Sequence, residues 1–327
     1  MTHYIPLLSL LVTLVLLAVL TTEQIGRFFH DIPNERSLHS TPVPRIGGIA
    51  LMAGVLSGWA LQLHFLSWWV VLPVAGLFAL SLLDDMRSLS AGIRLIGHFL
   101  AALIALSGAG MSFLWFIPAL LFIVWMTNLY NFMDGSDGLA GGMALFGFGC
   151  YGAGAWMGGN EAFALLNISV ASAALGFLFF NFHPARVFMG DAGSIPLGFL
   201  AATFGLSGWQ QDYWPLWFPL LVFSPFVVDA TATLVNRAVR GKRLSQAHRN
   251  HYYQRLVQMG WGHRKTALAE YALMLLAGMS ALWGMGLKYL AQCFLLLGWG
   301  MVFLVLMVTI DKLWREYQSS KKMVADA

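Results

Sequence analysis

Charge is what this sequence has least of. Only 10% of its 327 residues are Asp, Glu, Lys or Arg, while 58% are apolar, against roughly 25% charged in an average soluble domain. That deficit excludes a water-soluble globular chain. Cysteine is almost absent too, and both copies, Cys150 and Cys293, fall within long apolar runs, which argues against a disulfide framework or a cysteine-bound zinc. No stretch interleaves aromatic with basic residues in the manner of a nucleic-acid binder. No Lys or Arg precedes the first apolar run, and no small-residue cleavage site follows its end at Ala18-Val19-Leu20-Thr21-Thr22. That run therefore reads as a retained helix rather than a signal peptide. Linkers, low-complexity tracts and internal repeats are lacking as well, so residues 1–327 read as a single membrane domain.

What the chain does have is apolar length. A membrane-crossing helix needs about 20 mostly apolar residues, and such runs lie near 4–22, 46–64, 68–83, 94–108, 112–129, 139–157, 161–180, 194–209, 214–234, 266–286 and 289–310. The expected fold is an all-α polytopic membrane protein of about eleven transmembrane helices. Cationic residues beside spans stay in the cytoplasm. With the N-terminus outside and the C-terminus cytoplasmic, the inner segments are 23–45, 84–93, 130–138, 181–193, 235–265 and the tail from Asp311. Every Lys and Arg except Lys288 then lies inside or at an inner helix end. The turns around Leu66, Gly110, Gly159 and Gln211 carry none. The net charge of +4 fits basic loops facing anionic headgroups. The same inner segments hold nearly all the Asp, Asn, His and Arg, so any reaction centre belongs on that face.

Four polar clusters stand out there, because ionisable groups at span ends are costly unless they work. Asp84-Asp85-Met86-Arg87 pairs two carboxylates that repel unless a proton or cation lies between them; a solvated helix end is the bland alternative. In Asn128-Leu129-Tyr130-Asn131-Phe132-Met133-Asp134-Gly135-Ser136-Asp137-Gly138, polar residues recur every three positions. While the chain stays helical, Asn128, Asn131 and Asp134 share a drifting face. The Asp-Gly steps then break the helix and open backbone amides to an anion. A simple turn explains those steps but not the asparagines. In the segment from Asn181 to Ser194, Asp191 sits between glycines just before a helix whose first turn contains Pro196, beside free N–H groups that suit a hard cation bridging to phosphate. Asp is equally favoured as a plain N-cap. The fourth cluster is Ser245-Gln246-Ala247-His248-Arg249-Asn250-His251. Helical spacing puts His248 and His251 about 60° apart on one face; zinc lacks a tetrahedral set, so contact with phosphate or nucleotide is the better reading. The first inner loop, from Asp31 to Gly48, adds rigid proline turns and Arg36, His39 and Arg45, which suit an anionic headgroup. Hard oxygen ligands, glycines, Arg and His together are the equipment of phosphoryl transfer.

In these motifs, kept in order from about Asp31 to about Gly262, the sequence resembles the polyprenyl-phosphate N-acetylhexosamine-1-phosphate transferases. These membrane enzymes begin O-antigen, enterobacterial common antigen and peptidoglycan lipid carriers. The resemblance implies transfer of a sugar 1-phosphate from a UDP-N-acetylhexosamine to undecaprenyl phosphate, with release of UMP and a need for Mg²⁺, or Mn²⁺ in its place. It implies catalytic roles for Asp84, Asp85, Asp134 and Asp137, substrate contacts for Asn128, Asn131, Asn181, His248, Arg249 and His251 beside Arg45, and metal ligation by Asp191 with Asn131. It further implies a multi-pass protein of the bacterial inner membrane with its site facing the cytoplasm, able to form a homodimer. Arg87 departs from the lysine common in the family, keeping charge but changing geometry. Arg249 and Asn250 interrupt a cluster that is richer in histidine elsewhere. The first-loop pattern is closer to O-antigen enzymes of lipopolysaccharide biosynthesis, which ranks N-acetylfucosamine, N-acetylquinovosamine and N-acetylglucosamine as donor sugars. A secondary transporter, with acids binding coupling ions at the midplane, and a silent lipid-binding scaffold are the rival readings.

Overall fold

A computed structural model describes residues 4–22, 30–31, 42–243 and 248–325. Arg36, His39 and Ser245 to Ala247, singled out above, lie outside the described residues. The helices are α1 (Ile5–Leu20), α2 (Gly47–Ala60), α3 (Trp68–Arg87), α4 (Ala91–Gly108), α5 (Phe113–Phe132), α6 (Leu139–Met157), α7 (Glu161–Asn181), α8 (Asp191–Gln210), α9 (Trp217–Val222), α10 (Ser224–Val239), α11 (Tyr252–Leu256), α12 (Gly262–Gly284) and α13 (Tyr289–Ala325). A two-residue antiparallel pair joins β1 (His30–Asp31) to β2 (Val43–Pro44). The chain is thus an all-α polytopic membrane protein. Among the described residues, α3, α4, α5, α7, the α11–α12 stretch and α13 are long and apolar enough to cross a membrane, while α1 and α2 are apolar but shorter.

Each expected apolar run coincides with helix, with one break. The run 214–234 is split at Phe223 into α9 and α10. Pro225 enters the first turn of α10, and a proline has no N–H to extend the preceding helix.

Helix α8 is the axis of the bundle. It packs against α2, α3, α5 and α6, and every residue from Ala192 to Gly208 is buried. In a bilayer, helices cannot gain from burying grease that lipid already buries, so close backbone approach through small residues holds them together. Gly48 on α2 shows the device: a Cβ there would overlap the backbone of Gly193 on α8. The Gly47 and Gly48 amides also donate to the Phe188 and Met189 carbonyls at 2.9 and 2.8 Å. The periphery is different. Ile96 and Leu100 on α4 and Leu290, Phe294, Leu297 and Met301 on α13 are more than half exposed, as lipid-facing side chains are. The C-terminal ends of α3, α5 and α7 and the N-terminal ends of α2, α4, α6 and α8 meet at one end of this bundle, and the polar residues meet with them.

Candidate active site

Helix α3 ends on Ser88, whose left-handed conformation (φ 50°) reverses the chain toward α4. Asp84 holds that turn by accepting the Leu89 amide at 2.6 Å. The reversal delivers Arg94, whose Nη1 lies 3.1 Å from Asp84 Oδ2 and 3.6 Å from Asp191 Oδ2. One guanidinium therefore ties the end of α3 to the start of α8. Asp191 is the first residue of α8 rather than a residue before it, with Gly190 as the N-cap at φ 69°; Pro196 consequently falls inside the helix, beyond the first turn. That left-handed Gly190 is flanked by Arg45 and Asp85, and Asp85 accepts a backbone hydrogen bond from Ala192.

Asp134 completes the group. Helix α5 stops at Phe132, so Asp134 leaves the drifting helical face and accepts a backbone hydrogen bond from Gly190. Burial pushes its carboxyl up to about 7; Asp191 and, more weakly, Asp85 add to the rise, while Arg45 opposes it. Burial raises Asp191 as well, reinforced by the charge of Asp84 and by a hydrogen bond between the two carboxyls, and partly offset by Arg94 and Arg45. The structure thus brings Asp84, Asp85, Asp134 and Asp191 together with Arg45 and Arg94. Asn131 joins them through its Oδ1, which accepts the Ser194 hydroxyl at 3.3 Å. Asn128 lies one turn back along α5, its Nδ2 donating to the Val124 carbonyl at 2.7 Å.

Among the described residues, no three Asp, Glu, His or Cys side chains are placed to enclose a metal ion by themselves. Magnesium does not need that: it is commonly held by one or two carboxylates together with substrate phosphates and water. A crowded set of hard oxygens in which burial and neighbouring charge raise Asp134 and Asp191 fits such an ion.

Asp137 is not part of this group. Its Oδ2 is 2.7 Å from His183 Nδ1 and accepts the Ala185 amide at 3.2 Å, and its Oδ1 is 3.6 Å from His263 Nδ1. The Asp137 amide donates to His263 Nδ1 at 3.3 Å, with the Ser136 hydroxyl 2.9 Å from the same atom. The two imidazoles stack, 5.6 Å apart and 7° from parallel. Asn181, expected as a substrate contact, has both ends of its amide engaged by backbone: it accepts the Gly138 amide and donates to the Val187 carbonyl, each at 2.9 Å. With 3% exposure, it fastens the Asp-Gly turn to the segment before Asp191.

The histidine pair departs from helical spacing. Residues 248–250 are not helical, and His251 is the N-cap of α11, yet the two rings meet at 5.0 Å. Burial, helped by His251 and nearby arginines, lowers His248 to about 4, leaving it neutral at physiological pH. The Arg249 carbonyl accepts from Gln258 at 3.0 Å. What holds the loop is Asp229 of α10. It accepts the Tyr252 and Tyr253 amides, both at 2.9 Å, and the Thr233 hydroxyl at 3.1 Å, and lies 3.2 Å from His251 Nδ1. A carboxylate only accepts, so in this contact Nδ1 carries the hydrogen and the ring is fixed against α10.

Arg94, Asp229 and His263 were missed as site residues by sequence reasoning. Arg94 and Asp229 sit inside runs counted as membrane spans, and an ionisable residue within such a run is the signal that could have found them.

The profile of glycosyl transferase family 4 matches residues 67–208. The chain is 30% identical over 296 residues to a probable undecaprenyl-phosphate N-acetylglucosaminyl 1-phosphate transferase of Bacillus subtilis, covering 84% of this chain and 83% of the relative. It is 33% identical over 288 residues to the decaprenyl-phosphate N-acetylglucosaminephosphotransferase of Mycolicibacterium smegmatis, covering 73% and 71%. It is 26% identical over 312 residues to the phospho-N-acetylmuramoyl-pentapeptide-transferase of a Geobacillus strain, covering 84% and 94%.

Proposed function

We propose, from the premise that this chain belongs to glycosyl transferase family 4, that it moves N-acetylhexosamine 1-phosphate from a UDP-sugar to undecaprenyl phosphate, releasing UMP. The observation that carries this reading is Arg94 bridging Asp84 and Asp191, beside the half-buried Asp85 and Asp134. An oxygen of the lipid phosphate attacks the β-phosphorus of the donor. The bond from that phosphorus to the bridging oxygen breaks, and the electron pair leaves with UMP.

Arg94, at the edge of the cluster, suits the acceptor phosphate, and Asp84 or Asp85 orients it. A lipid phosphate already ionises near neutral pH, as phosphomonoesters do at about 6, so orientation matters more here than deprotonation. His251, held by Asp229, and neutral His248 face the donor as hydrogen-bonding groups. The Asp137 turn with His183 and His263 shapes the donor side. When bound through Asp191 and Asn131, Mg²⁺, or Mn²⁺, would neutralise diphosphate oxygens.

The finer reading also places the N-terminus outside, the C-terminus in the cytoplasm and the site on the cytoplasmic face of the bacterial inner membrane, following the Lys and Arg asymmetry. The reaction would start a cell-envelope polysaccharide, O-antigen among them. Of the three donors ranked above, N-acetylglucosamine gains support from the names of the Bacillus and Mycolicibacterium relatives.

Purified protein given undecaprenyl phosphate and UDP-linked N-acetylglucosamine, N-acetylfucosamine or N-acetylquinovosamine should release UMP with one of them and stop in EDTA. Asp191→Asn should abolish release while the protein stays folded. An active Asp191→Asn enzyme would sink the metal assignment, and no UMP with any donor would sink the transferase reading.

A further inference from the structure

His98 on α4 is 3% exposed, and neither ring nitrogen has a hydrogen-bond partner. Buried polar side chains are overwhelmingly satisfied, so an imidazole with two idle nitrogens marks a place for something else. Its position says what. His98 follows Arg94 by four residues, which puts it on the same helical face, about 6 Å further along α4 into the bundle. Asn128 on α5 lies within reach of the ring but with no properly formed hydrogen bond between them, while its Nδ2 donates to the Val124 carbonyl. Beside this face Leu95 is 43% exposed, and on the opposite side of α4 Ile96 and Leu100 are more than half exposed, so the helix turns its outer side to lipid and His98 to the bundle. The imidazole thus sits beneath an arginine already paired with carboxylates, on the inward side of a helix whose outer side meets lipid.

We infer that His98 forms the membrane-deep end of the acceptor site. Its N–H donates to a non-bridging oxygen of the polyprenyl phosphate while Arg94 holds the charge from above. A second buried cation at this depth would be costly in the absence of ligand. A neutral imidazole supplies a donor without that cost, and Asn128 supplies a second polar group beside it. A water-soluble sugar nucleotide has no reason to reach below the carboxylates; a phosphate drawn along by its prenyl chain does. This inference rests on the transferase reading, and its test separates the two.

The test uses His98→Gln, which keeps a donor and an acceptor, and His98→Leu and His98→Phe, which remove both, in the full-length protein in detergent. Kinetics of UMP release give KM for undecaprenyl phosphate and for the UDP-sugar separately, and direct binding compares a short polyprenyl monophosphate with the corresponding polyprenol and with inorganic phosphate. The apolar variants should raise the acceptor KM about tenfold, the worth of one hydrogen bond to a charged group. They should leave the donor KM unchanged, lose affinity for the polyprenyl monophosphate but not the polyprenol, and melt no lower than the unsubstituted protein, because an unsatisfied buried group has been removed. His98→Gln should restore most of the acceptor KM. Unchanged acceptor KM and binding, equal loss for both substrates, or a lower melting temperature with normal KM would overturn the inference in favour of a purely structural histidine. If the unsubstituted protein releases no UMP, the transferase reading fails, and the binding comparison still decides whether His98 recognises a lipid phosphate.

Discussion

Two carboxylate assemblies, one buried and one half-buried, lie at the same end of this bundle, and they are built on opposite principles. Asp229 is saturated: two backbone amides, a hydroxyl and an imidazole converge on it, and the result is a fixed loop. Asp84, Asp85, Asp134 and Asp191 are crowded instead, with Arg94 shared between two of them and their charges raising the affinity of Asp134 and Asp191 for protons. A satisfied acid is a part of the scaffold. A crowded one is held in readiness by the rest of the fold, for a cation or a substrate to complete.

The sharpest way to break this contrast is to remove one acid from each side. Asp229→Ala strands two amides and His251 in the interior and should cost about 3 kcal/mol, seen as a large fall in melting temperature. Asp191→Asn, measured in EDTA, should raise the melting temperature, because it relieves like-charge crowding. Equal falls for both would show that the two assemblies do not differ in kind.

A smaller effect comes from pH. Asp134 is raised from 3.8 to about 7, so between those values the folded chain holds a proton that the unfolded chain has lost. Stability without metal should therefore fall as pH rises through that window and level off above about 7. On the proposed reading, Mg²⁺ held by Asp191 and Asn131 would favour loss of that neighbouring proton, so stabilisation by added Mg²⁺ should grow from pH 5.5 to 7.5, by up to about tenfold in apparent affinity per pH unit for one proton. Thermal melting at a series of pH values, with Mg²⁺ or with EDTA, measures both limbs, and an affinity independent of pH would remove Asp134 from the cluster's chemistry. Smallest of all, Arg94→Lys keeps the charge but replaces a planar fork by a point, and should lower kcat/KM about tenfold, mostly through the acceptor.

The helices were legible because lipid imposes a length and a composition on each span, and the motifs from Asp84 to His251 do lie at one end of the bundle. The rest was hidden for identifiable reasons. The break at Phe223 follows from Pro225, a local signal overridden by the hydropathy of residues 214–234. Arg94 and Asp229 were masked by the apolar residues around them. Asp137 stands with Asp134 in the motif that carries the family resemblance, but α5 has already ended at Phe132, and the turn that follows sends the two carboxylates to different neighbours. The meeting of His248 and His251 was foreseen for a helical reason that does not apply; Asp229, distant in sequence, arranges their loop.

The bare contact between Gly48 and Gly193 carries a consequence for traffic. Where α2 touches α8 with no room for even a methyl group, a prenyl tail has no passage, whereas the greasy flank of α4 lies open to the bilayer. On the proposed reading, the tailed reactant slips in sideways along that flank and the nucleotide sugar descends from water.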